Sequence, residues 1–409
     1  MNDHAPLEVS RFRPLSRFQW LGSKTTMVFL CYLVAAISFG GFFEKWAFRD
    51  GMSYSAIEMM DGVAKRPFVY RQLMPATANL VEEIVPARLE QRFTDWLAAD
   101  PHKHNFIYRY FSNATDSTNT RYAFRYYVLF VMCFASYLFG IVALRAVCCE
   151  IYPDATSATL AAFTLALVFP MLTTEGGYMY DMTEVLFMAL AVLSALRGRL
   201  LLLGAIALLA TYNKESFVFF ILTLYPLLRE KFSRRAGLAI QGVLLTLALS
   251  VNLWVKLRYA ANPGGFVVNQ LGEHVRWLLS PSSYMLFEVN YGAVTTKGLN
   301  IVHLIVVAFV IKNAWPYVPR TLKRHGWMAL SINVPLFVLF CYRGELRNLS
   351  MLFVAFTVLL SVNISRYFQK VYRGHAYSTD DDLEPLAEPI AEPMGPPSIL
   401  EPDRALHLQ

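Results

Sequence analysis

LLLLGAIALLATYNKESFVFFILTLYPLL, residues 200–228, is two apolar runs interrupted by the polar pentapeptide YNKES at 212–216. Its reading decides the topology of the whole chain. A single kinked helix would bury YNKES halfway along. The basic segment REKFSRR at 229–235 would then change sides, and the charge bias of every later loop would be spoiled. Two short spans meeting at YNKES keep that bias intact, and this is the reading taken.

The composition sets the class. The 409 residues are 56% hydrophobic and 16% charged, against about 25% charged in an ordinary soluble protein. The apolar residues come in runs, as in a polytopic membrane protein. The start RFRPLSRFQW at 11–20 leads into a full-length apolar run, which reads as a retained first span and not a cleaved leader. The formal net charge of +7 is no nucleic-acid signal, because the excess Lys and Arg lie in short segments between apolar runs. Cys31, Cys133, Cys148, Cys149 and Cys341 show no metal-ligand spacing and read as small buried hydrophobes.

Apolar runs fall near 26–43, 124–147, 156–172, 182–196, 200–212, 216–228, 236–255, 299–311, 327–341 and 349–364, which predicts about ten spans, some of them short. Placing Arg11, Arg13, Arg17 and Lys24 in the cytoplasm and alternating sides puts four more basic clusters inside. They are Arg197 with Arg199; Arg229 to Arg235; Lys312 to Arg324; and Arg366 to Arg373. Both termini are then cytoplasmic. The expected organisation is a cytoplasmic segment 1–25, a transmembrane domain 26–372 and a tail 373–409 that is acidic, Pro-rich and disordered. The outer loops fall at about 44–123 and 256–298.

This orientation sorts the remaining polar groups onto one face. The first outer loop carries ten acidic and ten basic residues. TTEGGYMYD at 173–181, YNKES and YRGELRN at 342–348 also lie outside. Charges at membrane depth cost a few kcal/mol each and are tolerated where they line a cavity. Each cluster has a plain structural alternative. Lys214 and Glu215 could pair at a turn, and Arg343, Glu345 and Arg347 could form a solvated loop. Asp181 and Glu184 could be an N-cap and a first-turn carboxylate. A common outward cavity accounts for all three together. His102 and His104 are a weak metal pair, and no metal or cofactor is expected.

Two stretches, RDGMSYSAIEMMDG (49–62) followed by RPFVYRQLMP (66–75), resemble the first outer loop of bacterial membrane glycosyltransferases of the GT-C fold. So does 178–220, in which YD opens a helix, a small-basic turn follows and a short span ends in Asn213-Lys214-Glu215-Ser216. Gly344, Glu345 and Arg347 match a late GE-x-R motif. The resemblance covers about half the chain through four short motifs in order. It departs at Lys214, where Arg is expected; Lys keeps the charge and loses the two-pronged geometry.

The resemblance implies an all-α helical bundle with interfacial helices in the first outer loop. It also implies transfer of a sugar from a polyprenyl-phosphate donor to a glycan, lipid or protein acceptor on the extracytoplasmic face of the bacterial inner membrane. Such chemistry needs a carboxylate to take the acceptor proton, cations for the departing phosphate and a groove for the lipid tail. Asp50, followed by Y-x-x-I, is the expected base and Glu44 the runner-up. Arg71, Arg347, Lys214 and Arg343 are the expected phosphate ligands. Glu215 and Glu345 would hold the cations or contact sugar hydroxyls. Tyr70, Tyr178 and Tyr180 could stack on a sugar, although interface-belt tyrosines are common. Segment 73–85 reads as an amphipathic interfacial helix with Leu73, Ala76, Leu80 and Ile84 on one side. The competing readings are a glycan polymerase or ligase, a transporter or flippase of a lipid-linked or anionic substrate, and a non-catalytic scaffold.

Overall fold

The computed structural model describes residues 24–265 and 269–380. The predicted cytoplasmic segment up to residue 23 and the tail from 381 onward lie outside the described residues. Two units are distinguished, Met1–Arg366 and Tyr367–Gln409. In the second, the described backbone is helical to Asp380.

Within the first unit, α1 (Lys24–Trp46) is followed by short helices α2 (Ala56–Met60), α3 (Leu73–Ile84), α4 (Ala87–Ala99), α5 (Pro101–His104) and α6 (Phe106–Tyr110). Long helices α7 (Ala123–Ile151), α8 (Ala155–Leu172) and α9 (Tyr180–Arg197) come next. Asp154 caps α8 by accepting from Ser157 N–H at 3.2 Å. Gly198, at φ +69°, ends α9 in the left-handed conformation that glycine adopts without penalty.

The stretch 200–228 resolves into α10 (Leu200–Asn213), α11 (Phe217–Thr223) and α12 (Tyr225–Lys231). The chain breaks at YNKES, as two segments require, and again at Leu224 before Pro226. The predicted span at 216–228 is therefore two seven-residue helices, each only about 10 Å long. Then follow α13 (Arg234–Arg258), α14 (Leu271–Leu278), the hairpin β1 (Phe287–Asn290) with β2 (Ala293–Thr296), α15 (Ile301–Ala314), α16 (Arg320–Phe340) and α17 (Phe353–Asp380).

Five segments are long and apolar enough to cross a membrane: Thr25–Trp46, Ala123–Ile151, Ala155–Leu172, Arg234–Arg258 and Leu346–Val371. Leu200–Asn213 and Ile301–Tyr317 are shorter apolar helices. By length and composition the chain is a helical membrane protein. All ten apolar runs fall on helices, and among the described residues five of these helical segments are long and apolar enough to span by themselves.

One region departs from the all-α expectation. FEVN and AVTT pair antiparallel, with Val289 opposite Val294 and Asn290 opposite Ala293. Apolar and polar residues alternate along β1, and Tyr291-Gly292 supplies a two-residue turn with positive φ at both positions.

α7 packs on α9, α10 on α9 and α13, and α1 on α7 and α8. α3 lies against α7. It buries Met74, Pro75 and Ala78, whereas Leu80 and Ile84 are exposed. The face expected to lie on the membrane therefore includes the side that α3 leaves unpacked.

Candidate functional site

The long-range hydrogen bonds gather the connecting segments at the Trp46 end of α1. Trp46 Nε1 donates to the Thr173 carbonyl at 2.9 Å. Gln72 N–H donates to the Tyr212 carbonyl at 3.0 Å, and Thr174 Oγ1 donates to the Gly344 carbonyl. Arg66 Nη2 reaches the Gly264 carbonyl at 2.5 Å. The backbones approach so closely there that a Cβ on Gly264 would stand 2.6 Å from the Arg66 oxygen. Gly177 is similarly confined, since a Cβ would sit 2.6 Å from the Trp46 ring.

Between these segments lies a buried charge network. It starts at YNKES, where Ser216 follows the break and Lys214 caps α10. Lys214 Nζ donates to Glu184 Oε2 at 2.7 Å and to Asn348 Oδ1 at 3.1 Å. Ser216 Oγ donates to the other Glu184 oxygen at 3.0 Å. Arg71 forks onto Glu215, Nη2 to Oε1 at 3.1 Å and Nε to Oε2 at 3.3 Å, and its Nη1 donates to the Tyr180 hydroxyl. Burial would raise the Glu215 carboxyl, but Arg71 outweighs it and holds it below the usual carboxylate range.

Arg347 bridges Asp181 at 2.9 Å and Glu345 at 3.1 Å. Glu345 also accepts from Asn348 Nδ2 at 2.9 Å. Asp181, in the first turn of α9, accepts from Tyr178 N–H just ahead of that helix at 2.9 Å. Lys214 and Arg347 have side chains only 6% and 4% exposed. Desolvating such ions costs several kcal/mol each, which only close partners offset. The network holds three cations, Arg71, Lys214 and Arg347, against four carboxylates, Asp181, Glu184, Glu215 and Glu345.

An aromatic column runs beside it. Tyr54 stacks on Phe68 at 4.7 Å, Phe68 on Tyr178 at 5.4 Å and Tyr178 on Tyr180 at 5.2 Å between centroids. Guanidinium groups face the rings. Arg71 lies 4.5 Å over Tyr180 and Arg347 lies 4.6 Å over Tyr178. Arg49 lies 5.6 Å over Tyr54 and 5.5 Å over Tyr178. Tyr178 and Tyr180 are buried, so they are not belt tyrosines.

Arg49 had no role in the sequence reading. It sits at φ +63°, two residues after Ala47 at φ +43°, a conformation that L-residues with side chains adopt at a cost. Among the described residues no carboxylate pairs with it, and its Nε has no hydrogen-bond partner. Its Nη2 donates to the Tyr54 hydroxyl at 3.3 Å. Its sequence signal is its place at the head of the 49–62 motif, beside Asp50.

Asp50 turns the other way. It accepts from Asp116 N–H at 2.7 Å, from Phe48 N–H at 3.3 Å and from the Tyr126 hydroxyl at 3.1 Å on both oxygens. Burial, then the Asp116 carboxylate, push its pKa up to about 7. The Asp116 carboxyl is itself raised by burial. Asp116 and Tyr126 were also missed, since only the fold brings the 115–118 turn to Asp50.

The structure thus joins Arg71, Asp181, Glu184, Lys214, Glu215, Glu345 and Arg347 in one network. It places the other candidates elsewhere. Among the described residues, none of the hydrogen bonds of Asp50 runs to the network. Glu44 is exposed, and its carbonyl accepts from Asn113 Nδ2 at 2.8 Å. Arg343 is exposed, with its guanidinium 5.6 Å over the Tyr342 ring. Tyr70 is buried, and among the described residues its hydroxyl has no partner; the expected sugar-stacking or surface-anchoring tyrosine is a core residue, in the 3-10 turn Phe68–Tyr70.

What the fold and site define is a helical membrane protein with a buried ion-pair network and an aromatic column at one end of its bundle. No family model, no curated protein and no solved structure matches the chain.

Proposed function

We propose that the protein is an integral membrane glycosyltransferase. It moves a sugar from a polyprenyl-phosphate donor to a glycan, lipid or protein acceptor at the Trp46 end of α1. That end is taken as the extracytoplasmic face of the bacterial inner membrane, with about ten membrane segments in a GT-C-like arrangement. The observation that carries the reading is Arg49, an unneutralised guanidinium held in a strained backbone beside the column.

The roles differ from those the motifs implied. Lys214 and Arg347 are committed to carboxylates and buried, so they act through their field and by holding the column in place. Arg71, forked onto Glu215, acts in the same way, and Arg49 contacts the phosphate, where a guanidinium fork matches two oxygens. Half-buried Tyr54 and Phe68 form the open end of the column, where a sugar face can stack. Asp50, titrating near 7, has the basicity that suits proton removal at neutral pH. The acceptor hydroxyl would displace one of its present donors.

The test uses protein in lipid nanodiscs with a synthetic short-chain polyprenyl-phosphate hexose. Arg49→Gln should weaken donor binding by about tenfold or more, the worth of a charge-assisted hydrogen bond. Asp50→Asn should keep binding and lose transfer. Unchanged donor affinity in the first variant, or full transfer in the second, overturns the assignment.

A further inference from the structure

The β1–β2 hairpin answers to a different constraint from the charge network. Its inward face ties it to the bundle. Lys45 Nζ donates to Glu288 Oε2 at 2.5 Å, and the Tyr291 hydroxyl donates to the Leu167 carbonyl at 2.9 Å. The Tyr291 ring lies on Gly41, where any Cβ would stand 2.7 Å from a ring carbon. From Glu288 to Tyr291 the hairpin advances three residues, and its contacts on α1 move from Lys45 back to Gly41. The hairpin therefore runs down α1, away from that helix's end. Gly41 is about 7 Å inside the end of α1 at Trp46 at 1.5 Å per residue, and Leu167 lies equally far inside the end of α8. Both helices are membrane spans by length and composition.

The other face carries no charge. Glu288 is the one ionisable group with acid or base strength at neutral pH in 285–296, and it is turned toward Lys45. Outward stand Val294, Val289 and Phe287, at 75%, 64% and 60% exposure. The turn adds a further sign of constraint. Tyr291 has φ +54° and Gly292 φ +73°, and a bulky aromatic is a poor first residue for such a turn, where Asn or Gly is usual. Its position is explained by the anchor it drives between α1 and α8.

We propose that this hairpin is immersed in the membrane leaflet at the Trp46 end of α1, with Phe287, Val289 and Val294 facing lipid. The inference is independent of the enzymatic reading. Strand edges cannot be satisfied in pure hydrocarbon. The hairpin therefore occupies the headgroup and upper acyl depth, where water still reaches its edge groups, and its strands are accordingly only four residues long.

The experiment places a nitroxide at Val294→Cys, and separately at Phe287→Cys, in a Cys149→Ser/Cys341→Ser background in nanodiscs. Ile37→Cys on α1 serves as the lipid reference and Arg276→Cys on α14 as the water reference. Both test sites are exposed, so labelling leaves the packing intact. Collision with dissolved oxygen should lie between that of Ile37, deeper on α1, and that of Arg276, and the water-soluble nickel chelate should be excluded several-fold relative to Arg276. Chelate access equal to Arg276 overturns the proposal. Exclusion of both reagents with dipolar broadening between labels also overturns it, because the face would then be covered by a second copy of the chain.

Discussion

At the scale of single residues, the site is governed by what each ion is paired with. Lys214 shows this most clearly. Replacing it with Met leaves Glu184 buried without its cation, and the loss should be about 3–5 kcal/mol, the cost of breaking a buried pair. The double variant Lys214→Met/Glu184→Gln should recover much of that, as thermal unfolding in detergent will show. Arg49 predicts the opposite balance. Arg49→Gly relieves a left-handed strain of about 1–2 kcal/mol while giving up cation–π contacts of about 0.5–1 kcal/mol each. The midpoint of unfolding should stay nearly constant while donor binding is lost; a collapse in stability would mean that Arg49 is a structural residue. For Asp50, transfer should rise with pH through about 7 as the carboxylate forms, and a profile flat from pH 5.5 to 8.5 would remove it as the base.

Among the elements, the connecting segments do more to shape the site than the helices they join. Segment 173–179 passes so close to α1 that Gly177→Ala must push aside Phe42 and Trp46, both packed in the core. Overpacking of this kind costs about 1–3 kcal/mol. It should also move Tyr178 out of its stack, so donor affinity should fall together with the unfolding midpoint. Gly204→Ala on α10, where a Cβ meets one leucine methyl at 3.9 Å, is the matched control and should change neither. The short helices α11 and α12 show what hydropathy leaves out of the 216–228 run. Its hydropathy suits a span, but Pro226 and the capping at Leu224 divide it.

Across the whole molecule, the raised carboxyl of Asp50 couples stability to pH. The group binds its proton more tightly folded than unfolded, with a pKa of about 7 against 3.8. Its contribution is therefore fully present below about pH 4 and is lost as pH rises through 7. Between pH 5 and 8 the unfolding midpoint should fall in the wild-type protein and fall less in Asp50→Asn. Equal slopes in the two proteins would show that Asp50 titrates as an ordinary carboxylate.

Hydropathy and charge in the sequence were enough to define a helical membrane protein, the break at YNKES and the polar motifs that meet at one end, because run length and Lys/Arg position act locally along the chain. Tertiary structure alone decided how those motifs pair. Arg71 meets Glu215 across 144 positions and Arg347 meets Asp181 across 166, and no local pattern encodes such partners. The same distance effect separates Asp50 from the network, turns Tyr70 into the core, and brings forward Arg49 and Asp116. The direction of a side chain from an irregular loop is set by the bodies packed around it, and those bodies lie far away in sequence.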